Sequence, residues 1–522
     1  MIDTKAMPHL ADIPSHQAKI YGDQVAMVFE GRETSFKQLE TRTNQVANGL
    51  IAAGVKPGDR VAYLGKNLDV YYEMLLGAAK ARAALAAMNY RLAPPEMQFV
   101  LSDSESAFLF VSAEYYPIID KVKAECPHLK TIIAIEGGRD DWADYTKWRD
   151  GQSTESPGLK TRDDDDVIQL YTSGTTGLPK GVQLTNSNYK CILEQADKLI
   201  WAHYGVGEAV INAMPLFHVA GVNIGIFSLT QGSKLVVLRE IHPMVILDLI
   251  EQQRIKHAFF VPAVILALTQ MPGVRDRDFS SLHIITYGAS PIAEGLLLEA
   301  ADIFGCKFTQ VYGLTETAGA GTYMMPEDHD PARGKLRSCG VPYPEMQILC
   351  VDENGNQVPQ GEVGEITMKS GMVMKGYWKR PEATAEAVKD GWFYTGDAGY
   401  FDEEGYLFIH DRVKDMIVTG GENVYPAEVE NAIFSHPDVA DVAVVGIPCD
   451  KWGEAVKAIV VPKPRCTPLE ADIIAYTKER IAGYKCPKSL DIHPEPLPRN
   501  PSGKVLRRQL REPYWVGKER NV

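Results

Sequence analysis

Between Ser35 and Ile135 helical and strand patterns alternate, and this alternation constrains the fold more than any single residue does. Ser35 and Gln38 form a capping box, a reciprocal pairing that satisfies the first free N–H groups of a helix. Leu39, Val46 and Leu50 then share one helical face. The turn Lys56-Pro57-Gly58-Asp59 leads into a strand at residues 60–64, followed by helices over 70–81 and from Pro94 to about Ser102. Apolar strands are expected at 107–111 and 131–135. Strand-helix-strand order predicts largely parallel sheets with helices on both faces.

At 522 residues the chain exceeds what one hydrophobic core usually holds, so more than one domain is expected. Residues 137–161 are polar and read as a surface connection, and the four acids Asp163, Asp164, Asp165 and Asp166 as a solvated loop. Over 348–409, short strands separated by turns such as Glu353-Asn354-Gly355 and Glu403-Glu404-Gly405 suggest a β-rich subdomain. A compact unit follows Arg412, with strands at 416–418 and 440–445 and helices at 427–434 and 469–482. The expected fold is therefore α/β overall. A large N-terminal domain (1–413) of two parallel-type sheets with helices carries a small β-rich subdomain. A small α+β domain (414–522) follows the boundary at Val413/Lys414.

A net charge of −14 argues against sequence-independent nucleic-acid binding, which rests on a basic surface. The N-terminus lacks a basic start followed by an apolar core, and the C-terminal Arg520-Asn521-Val522 carries no prenylation or peroxisomal signal. Apolar stretches at 209–216 and 219–229 are too short or interrupted to span a bilayer. The eight cysteines contain no C-x-x-C pair, so reduced thiols in a cytoplasmic enzyme are expected rather than a zinc or redox site.

Four motifs carry chemistry. In Tyr171-Thr172-Ser173-Gly174-Thr175-Thr176-Gly177-Leu178-Pro179-Lys180-Gly181, an apolar strand runs into four Thr/Ser hydroxyls, three glycines and one lysine. Glycines let backbone N–H groups approach phosphate oxygens, while Lys180 adds charge. A Walker A loop is absent, which disfavours a P-loop kinase or GTPase. Tyr312-Gly313-Leu314-Thr315-Glu316-Thr317 offers a ring able to stack on a purine and a carboxylate suited to Mg²⁺. Tyr394-Thr395-Gly396-Asp397, followed by Asp411-Arg412, supplies an acid for ribose hydroxyls and a guanidinium. Arg499-Asn500-Pro501-Ser502-Gly503-Lys504 sets a lysine on a tight turn.

In this order, from about Ile20 to Pro513, the motifs resemble the adenylate-forming superfamily of acyl-CoA synthetases, luciferases and peptide-synthetase adenylation domains. The segments from Lys414 to Glu430 and Lys451-Trp452-Gly453-Glu454 look closest to bacterial fatty-acid-CoA ligases. The resemblance implies ATP, Mg²⁺ and coenzyme A as co-reactants, and formation of an acyl-adenylate followed by thioester transfer. It implies that Lys504 contacts the α-phosphate and carboxylate, that residues 172–180 cradle the β- and γ-phosphates, and that Glu316, with Thr175, holds Mg²⁺. Tyr312 would pack on adenine, and Asp397 and Arg412 would hold the ribose. The C-terminal domain would swing about Lys414, exchanging the Lys504 face for Gly420 and Gly421, whose small size admits a pantetheine arm. Trp452 and Tyr484 either line coenzyme A, with Lys485 as a phosphate contact, or belong to the core. His218 either stands beside the nascent thioester or is a core histidine with its hydrogen bond satisfied.

By the same resemblance, His218, Asn223, Gly288, Ala289, Ser290, Gly313 and Gly319 lie near the acyl group. No acid or base at these positions would select an amino acid or dicarboxylate, so a medium- to long-chain fatty acid is expected. The rival readings are an aromatic, alicyclic or steroid side-chain acid, and delivery of the acyl group to a carrier protein. A homodimer is entertained, and no integral membrane segment is expected.

Overall fold

The computed structural model describes residues 2–173, 179–199, 202–290, 292–412, 415–419, 422–449, 452–481, 483–499 and 504–516. Lys414 and the Val413/Lys414 boundary lie outside them.

The capping box forms as expected. Gln38 N donates to Ser35 Oγ at 3.2 Å and Ser35 N to Gln38 Oε1 at 2.9 Å, opening the helix Phe36–Ala52. Leu39, Val46 and Leu50 are all buried. Strand Arg60–Leu64 is buried at all five positions, as a central strand with both faces covered must be.

Two large sheets form the body. One has eight strands in the order Gly376–Tyr377, Pro179–Thr185, Asp166–Ser173, Ala84–Ala87, Arg60–Leu64, Phe108–Ser112, Thr131–Ile135, Ala143–Asp144. It is parallel from Asp166–Ser173 onward; Pro179–Thr185 returns as an antiparallel hairpin, and Gly376–Tyr377 adds an antiparallel edge. The other has nine strands, with Lys307–Tyr312, Ile284–Gly288, Ile255–Phe260, Ala209–Asn212 and Lys234–Val237 adjacent and parallel at its centre. An antiparallel sheet of Gln347–Val351, Gly364–Lys369, Trp392–Phe401, Val388–Lys389 and Leu407–Arg412 confirms the β-rich subdomain.

Beyond Leu407 two further clusters of buried apolar residues form, around Ile417, Val429, Val444 and Val456 and around Val445, Leu497 and Leu510. Strands Val439–Cys449 and Gly453–Pro462 form the spine of this small α+β domain. No helix among the described residues is long and apolar enough to cross a membrane.

Two expectations are corrected. Residues 137–161 are not mere connection: they contain strand Ala143–Asp144 and helix Tyr145–Asp150, started by Asp144 Oδ1 accepting from Lys147 N at 3.0 Å. Trp148 packs its ring 5.5 Å from Phe108 and 5.6 Å from Phe110. The acid run 163–166 is not simply solvated either. Asp165 pairs with Arg82 at 2.8 Å, and Asp166, buried, pairs with the buried Arg60 and with Lys375 at 3.0 Å.

Candidate active site

The hairpin Asp166–Ser173/Pro179–Thr185 sets Thr172 opposite Lys180. Gly174, Thr175, Thr176 and Gly177, which come between the two strands in sequence, lie outside the described residues; Ser173 is described only as the last strand residue. Thr172 Oγ1 donates to Glu316 Oε1 at 3.3 Å, which brings the first two motifs together. Glu316 is buried at the centre of the turn Thr315–Thr317, and its carbonyl accepts from Met374 N at 2.7 Å. The Tyr377 phenol, invisible as a site residue in the sequence, donates to the same Glu316 Oε1 at 3.0 Å, and Lys180 Nζ stands 5.0 Å over its ring.

Among the described residues no cluster of three or more His, Cys, Asp or Glu side chains could hold a metal by itself. A single buried carboxylate beside a hydroxyl nevertheless fits Mg²⁺, which takes one or two carboxylates together with substrate phosphates.

Tyr312 ends strand Lys307–Tyr312, and its phenol donates to Asp397 Oδ2 at 2.8 Å. Burial, together with the Asp397 charge, pushes this phenol well above its ordinary range, so it stays a donor. Asp397 N donates to Thr395 Oγ1 at 3.1 Å at a bulge where Gly396 adopts φ +71°. Arg412 is the register partner of Asp397 across the strands; its side chain lies outside the described residues. The second and third motifs thus meet at the Tyr312–Asp397 bond.

The loop after Tyr312 folds tightly on itself. A Cβ on Gly313 would lie 2.5 Å from the Gly319 carbonyl, and Gly319 takes φ +83°. Asn223 Nδ2, on helix Val219–Thr230, donates to Ala318 O at 2.8 Å, while Asn223 Oδ1 accepts from Tyr189 Oη at 3.2 Å. Thr315 O accepts from Ala318 N at 3.1 Å. On the neighbouring strand, a Cβ on Gly288 would meet Val311 O at 2.3 Å, while Ala289 (φ +67°) and Ser290 are half-buried.

His218 stands at the N-cap of helix Val219–Thr230 with its ring 4.5 Å from that of Phe217. Its Nε2 is buried and has no hydrogen-bond partner among the described residues, which is not what a core histidine with both ring nitrogens satisfied would show. Burial first, then the charges of Lys504 and Arg91, pull its pKa down to about 4. Arg499 and Val505, which follows Lys504 directly, form a bridge, and Leu506 N donates to Pro498 O at 2.8 Å.

Gly420 and Gly421 lie outside the described residues. Trp452 and Tyr484 are exposed, at 38% and 43%, which rules out the core alternative for both. Lys488 Nζ lies 5.5 Å over the Trp452 ring, a neighbour the sequence did not single out. Lys485 is held by both Glu428 oxygens at 2.8 Å.

The buried Glu316 carboxylate bonded to Thr172, the Tyr312–Asp397 pair and the Ser/Thr/Gly-rich sequence from Tyr171 to Gly181 are features that an adenylate-forming enzyme combines. Residues 14–378 match the AMP-binding enzyme family, and residues 428–504 the AMP-binding enzyme C-terminal domain. The chain is 40% identical over 502 residues to the fatty acid–[acyl-carrier-protein] ligase ScoC of Streptomyces coeruleorubidus, covering 95% of each. It is 36% identical over 508 residues to a feruloyl-CoA synthase of an Amycolatopsis species, covering 97% of this chain and 99% of that one. A Mycobacterium tuberculosis fatty acyl CoA synthetase superposes with a TM-score of 0.78 at 33% identity, covering 98% of this chain and 99% of that one. The chain belongs to the AMP-binding enzyme family, and it is an ATP-dependent, AMP-forming acyl-CoA synthetase that uses ATP, Mg²⁺ and coenzyme A.

Proposed function

We propose that the enzyme activates medium- to long-chain fatty acids. The observation that carries this reading is the lining around Gly319. The groups nearest it are Asn223 and Val219, and Asn223 is already engaged by Ala318 and Tyr189. His218, at the head of the same helix, is held neutral. Neither Asn223 nor Val219, the groups nearest Gly319 among the described residues, carries a charge to select a dicarboxylate or amino acid, and an apolar slot favours an extended hydrocarbon.

A free carboxylate resists attack by a thiol because its leaving group would be oxide; as a mixed anhydride it leaves AMP behind. In our reading Lys504 meets the α-phosphate and the attacking carboxylate, where charge shifts during the in-line step. Lys180 and the backbone of residues 172–180 hold the β- and γ-phosphates. Glu316, with Thr175, would hold Mg²⁺, which would supply positive charge against the phosphates. Tyr312 borders adenine, and Asp397 and Arg412 hold the ribose. For the thioester step we place the hinge at Lys414, the domain boundary at Val413/Lys414, and Gly420-Gly421 at the pantetheine arm. The exposure of Trp452 and Tyr484 suits stacking on coenzyme A. All eight cysteines are free thiols, which supports a reducing, cytoplasmic setting.

The 40% identity to a ligase that serves a carrier protein favours one second reading, in which a carrier thiol replaces coenzyme A. Purified enzyme incubated with ATP, Mg²⁺, coenzyme A and a panel of fatty, aromatic and alicyclic acids tests both by mass spectrometry. Thioester from fatty acids, with Lys504→Ala slower by about 10²–10³ fold, is the expected result. A preference for ring acids would overturn the fatty-acid reading. Acyl-adenylate that accumulates without a coenzyme A thioester would point to the carrier.

A further inference from the structure

Tyr377 belongs to a strand only two residues long, yet its backbone is fixed on every side. Lys375 N donates to Gln183 O at 3.1 Å and Trp378 N to Gly181 O at 2.7 Å, so the segment is stitched along the strand that leads away from the phosphate loop. Tyr377 N donates to Thr384 Oγ1 at 2.9 Å. The next residue, Trp378, donates its indole N–H to Asp103 O at 3.0 Å, with the Arg60 guanidinium 3.4 Å from its ring centre.

A residue anchored this firmly places its side chain with little freedom, and both ends of that side chain meet the nucleotide machinery. The phenol donates to Glu316 Oε1 at 3.0 Å, the same oxygen that accepts from Thr172 at 3.3 Å. The ring face lies beneath Lys180 Nζ at 5.0 Å, within cation–π range. Two hydroxyl donors on one carboxylate oxygen fix the plane in which that carboxylate can meet a cation.

We propose that Tyr377 is a positioning residue for adenylation: its phenol aims the Glu316 carboxylate at the nucleotide-bound divalent cation, while its ring sets Lys180 over the phosphates. This rests on the reading of Glu316 as the cation ligand. Tyr377→Phe separates the two functions, since it keeps the ring and removes only the donor; Tyr377→Leu removes both.

The test uses the full-length enzyme with ATP and no acid or coenzyme A, titrated with Mn²⁺ and followed by the electron paramagnetic resonance of the free ion. Binding of ATP in excess EDTA is measured alongside. Tyr377→Phe should raise the Mn²⁺ dissociation constant about tenfold, the effect of losing one hydrogen bond to a charged acceptor, and leave metal-free ATP binding unchanged. Tyr377→Leu should weaken metal-free ATP binding several-fold as well. In a Glu316→Gln background the Phe substitution should add almost nothing. If Glu316→Gln weakens Mn²⁺ and Tyr377→Phe does not, the positioning role falls while the Glu316 reading stands. If Glu316→Gln leaves Mn²⁺ binding intact, the Glu316 reading falls and takes this proposal with it. Equal loss of Mn²⁺ and metal-free ATP binding in Tyr377→Phe would also overturn it, because a general structural defect produces that pattern.

Discussion

The phenol of Tyr312 donates a 2.8 Å hydrogen bond to Asp397, and this bond joins the end of a central strand of the nine-stranded sheet to a bulge in the antiparallel subdomain. Both residues come from motifs assigned to the adenosine, so the bond orients the carboxylate proposed for the ribose. Tyr312→Phe should weaken ATP binding about tenfold, the cost of one hydrogen bond to a charged acceptor. Titration calorimetry reads this directly. An unchanged dissociation constant would remove Tyr312 and Asp397 from the nucleotide site as a working pair.

His218 gives a prediction about pH. Its folded value of about 4 lies below the ordinary 6.5, because burial and then the charges of Lys504 and Arg91 oppose protonation. Between those values the unfolded chain takes up a proton that the folded chain refuses. Stability contributed by this site is therefore intact above 6.5 and is lost as pH falls toward 4. His218→Gln should lose about 2–3 kcal/mol less stability than the parent between about pH 7.5 and about pH 4.5. Denaturant midpoints at the two pH values measure it. Parallel losses in parent and variant would show that the imidazole titrates normally.

Asp166 pairs with Arg60, both buried, and accepts from Gln183 Nε2 at 2.7 Å and Lys375 Nζ at 3.0 Å. Removing the acid alone strands the guanidinium away from water, so Asp166→Ala should cost about 3–5 kcal/mol. The double variant Arg60→Met, Asp166→Leu should recover most of that loss, since no charge is then left buried. Urea unfolding of the three proteins decides the matter. A single variant as stable as its parent would mean that Arg60 finds water or another acid.

This pair also shows where the sequence stops being informative. A run of acids says nothing about partners that arrive from about a hundred positions away, and Arg60 and Arg82 become neighbours only once the parallel sheet is assembled. Helix Tyr145–Asp150 is six residues long, too short for a helical period to register. Strand Gly376–Tyr377 has no alternation to read, so Tyr377 passed unnoticed beside Glu316 and Lys180. In contrast, the Ser35–Gln38 box and strand Arg60–Leu64 were legible because their causes are local: a hydroxyl three residues from an amide, and an apolar run after a Pro-Gly turn. For the site, motif order revealed which groups belong together, and topology alone supplied the bonds between them. The buried Nε2 of His218, which has no partner among the described residues, has no sequence signature at all.

Gly319 tests the acyl slot itself. It holds φ +83°, and a Cβ there would sit 3.0 Å from Asn223 Nδ2 and 3.4 Å from a Val219 methyl. Gly319→Ala therefore does two things: it adds about 1–2 kcal/mol of left-handed backbone strain, and it pushes a methyl into the gap between the loop and helix Val219–Thr230. Gly334 separates these effects, because it has φ +65° with nothing within 4 Å of the added carbon, so Gly334→Ala brings strain alone. If the acyl chain runs past Gly319, the alanine variant should lose about tenfold or more in kcat/KM for dodecanoate while hexanoate changes little, since a filled slot discriminates by length. Gly334→Ala should leave the ratio between the two acids as it is. Equal losses for both acids in Gly319→Ala would place the slot elsewhere and reduce this glycine to a requirement of the loop's own backbone.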